Sequence, residues 1–202
     1  MGKSFSDICN TVQRRSIKGT ATTRDVVYTP IPLARKCIEL IPLEEGDIVL
    51  DPCRGKGAFY DLYPDYVEKD WCEIAEGKDF FRYNEEVDWI ITNPPYSILE
   101  KWLQHSAMIC RKGFGYLISY LNVTPKRIKE LNDRGFYLRK LMLINKVQNW
   151  FGKSCFVVFK KNPKKNIIDL DEGIYHSQGR NSKKDIYRQQ DEEQSDLEEW
   201  IK

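Results

Sequence analysis

Several signatures of common protein classes are missing from this 202-residue sequence. It has no run of 18 or more apolar residues and no apolar segment at its N-terminus, so we expect neither a transmembrane helix nor a secretory signal. Only two histidines are present and the six cysteines include no C-x-x-C pair, so we expect no bound metal. Five cysteines lie in or beside apolar segments, which is typical of buried thiols and predicts a reducing, cytoplasmic location.

The net charge of +2 conceals an uneven distribution along the chain. Residues 1–165 contain 27 Lys and Arg against 20 Asp and Glu, whereas residues 166–202 contain 5 against 10. A basic body suits a protein that binds nucleic acid, although a merely soluble domain can have the same balance. Composition divides the chain into a polar arm at 1–25, one domain at 26–165 and a charged, flexible tail at 166–202.

Short apolar segments alternate with segments of helical periodicity between residues 29 and 161. A helix is predicted after Thr29, which can serve as its N-cap, with Pro30 in its first turn. Further helices are predicted at 98–110 and 125–135, and strands at 47–53, 66–74, 87–96, 114–121, 137–147 and 154–161. The alternation predicts an α/β fold with a mostly parallel sheet, closed by an antiparallel hairpin.

A glycine-rich loop, DPCRGKG (51–57), directly follows the first predicted strand. Gly55 and Gly57 allow a sharp turn and a close approach of the backbone to a ligand. Ligands of parallel α/β sheets bind at the carboxyl ends of the strands, where this loop is expected to lie. The loop matches neither the Walker pattern nor the full dinucleotide fingerprint, and such turns also occur for packing alone.

A second motif, NPPY (93–96), follows the third predicted strand. Two prolines can simply end a strand, but here Asn93 adds a side-chain acceptor, Pro94 a rigid carbonyl and Tyr96 a flat face. An exocyclic amine such as adenine N6 is a weak nucleophile. Two acceptors aimed at its N–H groups favour a pyramidal, nucleophilic nitrogen and stabilise the charge that develops during in-line attack on a sulfonium methyl. An aromatic face would hold a base that has left its stack.

These segments, DPCRGKGAF (51–59), TNPPY (92–96) and YTPIPLARK (28–36), together resemble the amino-methyltransferases of the Rossmann-like class. The resemblance is greatest to DNA adenine-N6 methyltransferases, including small phage-encoded ones, and covers roughly residues 26–161. It implies a Rossmann-like methyltransferase fold, S-adenosyl-L-methionine as the cofactor, and methyl transfer to N6 of a flipped-out adenine. The implied partner is nucleic acid, with DNA favoured over RNA.

Matching the family's motifs residue by residue gives the implied site. The catalytic residues are Asn93, Pro94, Pro95 and Tyr96. The cofactor residues are Tyr28, Thr29, Pro30, Asp51, Pro52, Gly55, Gly57, Glu73 at the ribose, and Asp79 with Phe80 at the adenine. Substrate contacts are expected from an aromatic residue on the target base, Trp150 or Phe151, and, on grounds of charge, from Lys126, Arg127 and Lys129 at phosphates.

Two features depart from the family pattern. Only a dozen residues, 75–86, separate the second and third predicted strands, which is short for a crossover that contains a helix. We therefore expect the family's third, edge strand to be missing or reduced to a turn around Asp79. No segment has the size of a separate recognition domain, so we expect low specificity, help from a homodimer or protein partner, or RNA read by shape.

Two other functions fit the same residues. The NPPY motif serves a planar amide as well as a base amine, which leaves an RNA methyltransferase or a protein N5-glutamine methyltransferase open. The upstream Tyr-Thr-Pro segment and the basic body favour nucleic acid. A degenerate nucleic-acid-binding subunit of a methyltransferase heterodimer is the third reading. It is disfavoured because such partners usually lose the glycine loop or the catalytic motif, and both are intact here.

Overall fold

Six strands and three α-helices alternate along the part of the chain that the computed structural model describes, residues 28–145, 153–162, 165–168 and 170. The strands are β1 (Ile48–Asp51), β2 (Glu68–Trp71), β3 (Val87–Thr92), β4 (Cys110–Ser119), β5 (Phe136–Ile144) and β6 (Ser154–Lys161). The helices are α1 (Ile31–Glu39), α2 (Leu99–Ile109) and α3 (Pro125–Asn132).

The strands form one sheet in the order β2-β1-β3-β4-β6-β5. The first four strands of that order are parallel, and β6 is antiparallel to both β4 and β5. The predicted α/β fold with a mostly parallel sheet and a closing hairpin is therefore confirmed. The predicted arm at 1–25 and the predicted tail beyond residue 170 lie outside the described residues.

The central strands are covered on both faces, which is why their apolar residues are consecutive rather than alternating. All six residues of β3 are buried. On one face, Trp89, Ile91 and Leu117 join the core cluster that contains the buried side of α1. On the other face, the Tyr116 hydroxyl is hydrogen bonded to Ser106 of α2. None of the described helices is both long and apolar enough to cross a membrane.

The start of α1 differs from the sequence prediction. The helix begins at Ile31, its N-cap position is Pro30, and no side chain caps it. The prediction that Thr29 caps this helix is wrong, because its hydroxyl instead accepts a hydrogen bond from the side chain of Asn93. Proline at positions 30 and 32 limits the cost of the missing cap, since it has no N–H to leave without a partner.

The connection from β2 to β3 has no strand of its own. It consists of two short 3₁₀ turns, Ile74–Glu76 and Phe80–Arg82. Among the described residues β2 pairs only with β1, so it forms the edge of the sheet. The prediction of a missing third strand is confirmed, and the carboxyl edge beside β2 is built from turns.

The glycine at position 113 of β4 lets three strands pack closely, and its replacement tests this packing. A Cβ there would collide with the backbone oxygen of Phe159 and lie 2.6 Å from the ring of Trp89. Since a backbone collision is not relieved by a rotamer change, we expect Gly113→Ala to lower the free energy of unfolding by about 3 kcal/mol. Urea denaturation followed by circular dichroism measures this loss.

The matched control is Gly46→Ala. A Cβ at Gly46 meets no atom within 4 Å, so only its left-handed backbone (φ 79°) opposes the change. The expected loss there is about 1 kcal/mol. Equal losses at the two positions would contradict the proposed tight contact of β4 with β3 and β6.

Candidate active site

Three segments that are distant in the sequence meet at the carboxyl ends of β1 and β3. These strands are parallel neighbours, so their ends lie at the same edge of the sheet. The hydroxyl of Thr92 donates a 2.7 Å hydrogen bond to Oδ1 of Asp51, the last residue of β1. The side-chain amide of Asn93 donates to the Thr29 hydroxyl at 3.3 Å. Thr92, the last residue of β3, and Asn93, which follows it, therefore connect the glycine loop, the NPPY motif and the upstream segment that contains Thr29.

The carboxylate of Asp51 is fully buried and incompletely hydrogen bonded. Its Oδ1 also accepts the N–H of Cys53 at 3.2 Å, whereas Oδ2 has no hydrogen-bond partner among the described residues. Burial raises the pKa of Asp51 to about 7, and the charge of Glu73 adds to the rise. The hydroxyl of Thr92 and the N–H groups of Cys53 and Tyr60 oppose it. The site thus holds a carboxyl oxygen that a cationic or N–H-bearing ligand would stabilise.

The glycine loop is shaped by two residues with a left-handed backbone. Gly55 has φ 53° and Gly57 has φ 82°, and a Cβ on Gly57 would collide with the carboxylate of Asp61. Glu73 fastens the loop from the end of β2, since its Oε2 accepts the N–H of Gly55 at 2.8 Å. Tyr28 lies against the same loop, with its ring 3.7 Å from the position of a Cβ on Gly55. The loop therefore lies between an aromatic ring and a carboxylate.

The NPPY motif leaves β3 in an extended form and then turns into α2. Pro94 and Pro95 are buried and Asn93 is half-buried. Tyr96 is 38% exposed, and its hydroxyl donates to the backbone oxygen of Leu117 at 3.4 Å. The hydrogen bond to Thr29 sets the orientation of the Asn93 amide and turns its carbonyl oxygen away from Thr29. The motif is thus held at its first and last residues.

The remaining cofactor candidates lie on the β2 side of the site. Pro52 is buried beside Asp51. Asp79 caps a 3₁₀ turn, because its Oδ1 accepts the N–H of Phe81 at 3.0 Å. The ring of Phe80 is only 3% exposed and packs against Trp102, with ring centroids 4.6 Å apart. Phe80 therefore contributes chiefly to the packing of this edge on α2, while Glu73 contacts the glycine loop itself.

The predicted phosphate-binding residues of α3 have protein partners. Lys126 lies 3.6 Å from Glu130, and Lys129 lies 3.6 Å from Asp133; all four side chains are at least one-third exposed, so these pairs are weak. Arg127 is half-buried, and its Nη1 donates to the backbone and side-chain oxygens of Asn122 at 3.2 and 2.9 Å. Arg127 thus holds a turn in place. Trp150 and Phe151 lie outside the described residues.

Two residues of the site received no role from the sequence. Thr92 is completely buried and makes the bond to Asp51. Tyr63 is buried on the face covered by α1, and its hydroxyl donates to the backbone oxygen of Ile91 at 2.6 Å. The signal for Thr92 was its place between a buried strand and Asn93, since a buried hydroxyl needs a partner. No comparable sequence signal marks Tyr63.

No family model matches the sequence, and no curated protein is significantly similar to it. Solved structures do share the fold. A chain of the E. cuniculi Mtq2–Trm112 complex, which is responsible for methylation of the eRF1 translation termination factor, is 15% identical with a TM-score of 0.51. The match covers 67% of this chain and 98% of that one.

Two larger proteins match to a similar degree. The tRNA m1G37 methyltransferase of M. jannaschii is 13% identical with a TM-score of 0.50, over 68% of this chain and 52% of that one. A protein from Vibrio vulnificus, assigned as the modification subunit of a type I restriction enzyme, is 14% identical with a TM-score of 0.50, over 71% and 46%. This chain thus spans about half the length of these two proteins. The shared fold is the Rossmann-like methyltransferase fold that the sequence predicts.

Proposed function

We propose that this chain is an S-adenosyl-L-methionine-dependent methyltransferase of exocyclic amino groups, with N6 of adenine in DNA as its substrate. The observation that carries the proposal is the junction of two hydrogen bonds, Thr92 to Asp51 and Asn93 to Thr29. It brings a glycine loop suited to a nucleotide-like cofactor into contact with a motif suited to an amine. Neither motif alone has this specificity.

The residues around the loop fit S-adenosylmethionine. Asp51 offers a buried oxygen that has no hydrogen-bond partner among the described residues, which suits the ammonium group of the methionine part. The exposed Gly55 leaves the loop backbone open to close approach, whereas Gly57 makes room for the carboxylate of Asp61 inside the loop. Tyr28 lies against the loop, and Thr29 follows it in the chain. Glu73, at the end of β2, is in reach of the same loop and suits the ribose hydroxyls. When bound, the cofactor supplies an electrophilic methyl group on a sulfonium.

The NPPY motif provides the other half of the reaction. The carbonyl oxygens of Asn93 and Pro94 would accept the two N–H groups of the target amine and draw its lone pair out of conjugation with the ring. Tyr96, held by Leu117 and still partly exposed, would support the flat face of the base. No side chain has to remove the proton before attack, because the amine becomes acidic only as its bond to the methyl carbon forms.

The charge of the two halves of the sheet favours a polyanionic substrate. Residues 28–86, which carry β1 and β2, have 7 Lys and Arg against 14 Asp and Glu, a net charge of −7. Residues 87–161, which carry the other four strands, have 13 against 4, a net charge of +9. An acidic half suits a cofactor whose net charge is positive, and a basic half suits nucleic acid. A glutamine side chain in a protein is uncharged, so this separation of acidic and basic segments would not favour its binding.

Replacing Asn93 tests the catalytic motif. We expect Asn93→Ala to lower the turnover number by about 100-fold or more, because it removes an acceptor that acts in the transition state. The exposed Asn84, which lies in the turn before β3, provides the control Asn84→Ala, with turnover expected to stay within about twofold. The assay is radiolabelled methyl transfer to duplex DNA, single-stranded DNA, RNA and bulk protein in parallel.

The distribution of the label decides the substrate. Label on DNA that is released as N6-methyl-2′-deoxyadenosine on digestion supports the proposal. Label on RNA or protein alone would support methyl transfer but change the substrate class. An Asn93→Ala variant with unchanged turnover on the preferred substrate would refute the role of the motif.

Replacing Glu73 tests the cofactor assignment. We expect Glu73→Ala to weaken binding of S-adenosylhomocysteine by about tenfold in calorimetry, because a carboxylate that pairs with hydroxyl or N–H groups contributes roughly 1.5–3 kcal/mol. Glu76→Ala is the control, since Glu76 lies in the same turn, is exposed and, among the described residues, forms a single ion pair, at 3.9 Å to Arg54. Equal affinities of the two variants would remove Glu73 from the cofactor site.

The raised pKa of Asp51 makes stability depend on pH. A carboxyl group that titrates near 4 in the unfolded chain and near 7 when folded binds more protons in the folded state between these values. The contribution of Asp51 to the free energy of unfolding is therefore fully present below about pH 4. It falls as the pH rises through 7, by at most about 4 kcal/mol. Asp51→Asn should remove most of this fall in urea-unfolding experiments between pH 5 and 8.

Binding of the cofactor should also change how steeply stability falls with pH. The ammonium group of S-adenosylhomocysteine would supply a partner for Oδ2, so the fall in wild-type stability with pH should diminish at saturating ligand. Profiles of stability against pH that have the same slope for wild type and Asp51→Asn, both with and without ligand, would contradict this assignment of Asp51.

A further inference from the structure

The turn that follows β4 exposes two large apolar side chains. In the 3₁₀ turn Tyr120–Asn122, Tyr120 is 40% exposed and Leu121 is 61% exposed. Neither residue belongs to the motifs that define the proposed function. Apolar side chains clustered at the surface beside an active site commonly mark an interaction surface.

The position of this turn relates it to the catalytic motif. Strands β3 and β4 are parallel neighbours, with Thr92 opposite Tyr116. Tyr96 bonds to the backbone oxygen of Leu117, and β4 continues from there only to Ser119 before the turn begins. The turn therefore lies at the same carboxyl edge as Tyr96, on the side away from the glycine loop and β2.

The backbone of the turn is held at three points. The N–H of Tyr120 donates to the Lys153 backbone oxygen at 2.9 Å, and the N–H of Leu121 donates to the Ser119 hydroxyl at 3.4 Å. Arg127 binds the backbone and side-chain oxygens of Asn122, the last residue of the turn. A fixed backbone with exposed apolar side chains is a preorganised contact surface, since little conformational entropy is lost when a ligand binds.

The surroundings of the turn are basic. It lies in the half of the sheet whose segment has a net charge of +9. Two exposed lysines lie near the turn. The backbone oxygen of Lys153 accepts the N–H of Tyr120, and Lys126, in the first turn of α3, pairs weakly with Glu100 and Glu130. An aromatic ring and an aliphatic side chain flanked by cations match the surface that binds unstacked nucleic-acid bases and their phosphates.

We propose that Tyr120 and Leu121 contact a base of the substrate strand that flanks the target, with Lys153 and Lys126 at the adjoining phosphates. Tyr96 serves the target base, and Tyr120 stacks on its neighbour. Arg127 acts as a positioning residue that keeps the turn in place, rather than as a phosphate ligand. This inference rests on the proposed function in one respect only, which is that the substrate is nucleic acid.

Binding of a fluorescein-labelled single-stranded oligodeoxynucleotide in the presence of S-adenosylhomocysteine tests the inference without turnover. We expect Tyr120→Ala to raise the dissociation constant at least about fivefold, since stacking of one base is worth roughly this much or more. Leu121→Ala should raise it as well, because it removes apolar contact area. Tyr120→Phe keeps the ring and should change it less than about twofold. Met108→Ala is the matched control, because Met108 is 75% exposed but lies in the last turn of α2, towards the amino ends of the strands.

Several outcomes separate this inference from the proposed function. Unchanged oligonucleotide affinity in Tyr120→Ala, with S-adenosylhomocysteine affinity and circular dichroism intact, would overturn the inference. Wild-type protein that binds no oligonucleotide would overturn it as well. Weakened binding in Tyr120→Ala, together with methyl transfer only to protein, would support the contact surface while the proposed function failed.

Discussion

The buried hydrogen bond from Thr92 to Asp51 is the contact on which the candidate site depends. It joins the carboxyl ends of β1 and β3, and each of these ends carries one of the two motifs. A fully buried carboxylate is costly, and here only one of its oxygens is well bonded within the described residues. A fold selected for stability alone would favour an uncharged residue at position 51. The incompletely bonded Asp51 therefore fits the proposed ligand, whose ammonium group would complete its hydrogen bonding.

The short connection between β2 and β3 changes how the β2 side of the candidate site is built. Within the described residues no strand lies beyond β2, and this edge consists of two 3₁₀ turns, each capped by the acid that precedes it, Glu73 or Asp79. Glu73 accepts the N–H of Ala75 in its own turn and, with its other oxygen, the N–H of Gly55. One side chain therefore both caps the turn that follows β2 and fixes the glycine loop. The ring of Phe80 seals the turns against α2, which replaces the packing that a further strand would provide.

The sequence was sufficient to predict the fold because buried strands appear as short, mostly apolar runs, as in the parallel strands β1 and β3 and the antiparallel strand β6. It also predicted that the two motifs share an edge, since this follows from strand direction alone. The start of β4 was predicted four residues late, because Arg111 and Lys112 look like loop residues. In the sheet they pair with Asp88 and Asp47. Such pairs, like Thr29 with Asn93, join residues 23 to 65 positions apart and depend on packing that no local pattern encodes.

The division of charge follows the same geometry. The order of the strands places the acidic segment, residues 28–86, on β1 and β2, and the basic segment, residues 87–161, on the other four. The junction of the two halves is the boundary between β1 and β3, where Asp51 and Asn93 lie. A cationic methyl donor and a polyanionic acceptor would each be attracted to its own side and meet at that boundary. For the proposed reaction, the charge of each half and the order of the strands would thus favour the same placement of the methyl donor and the acceptor.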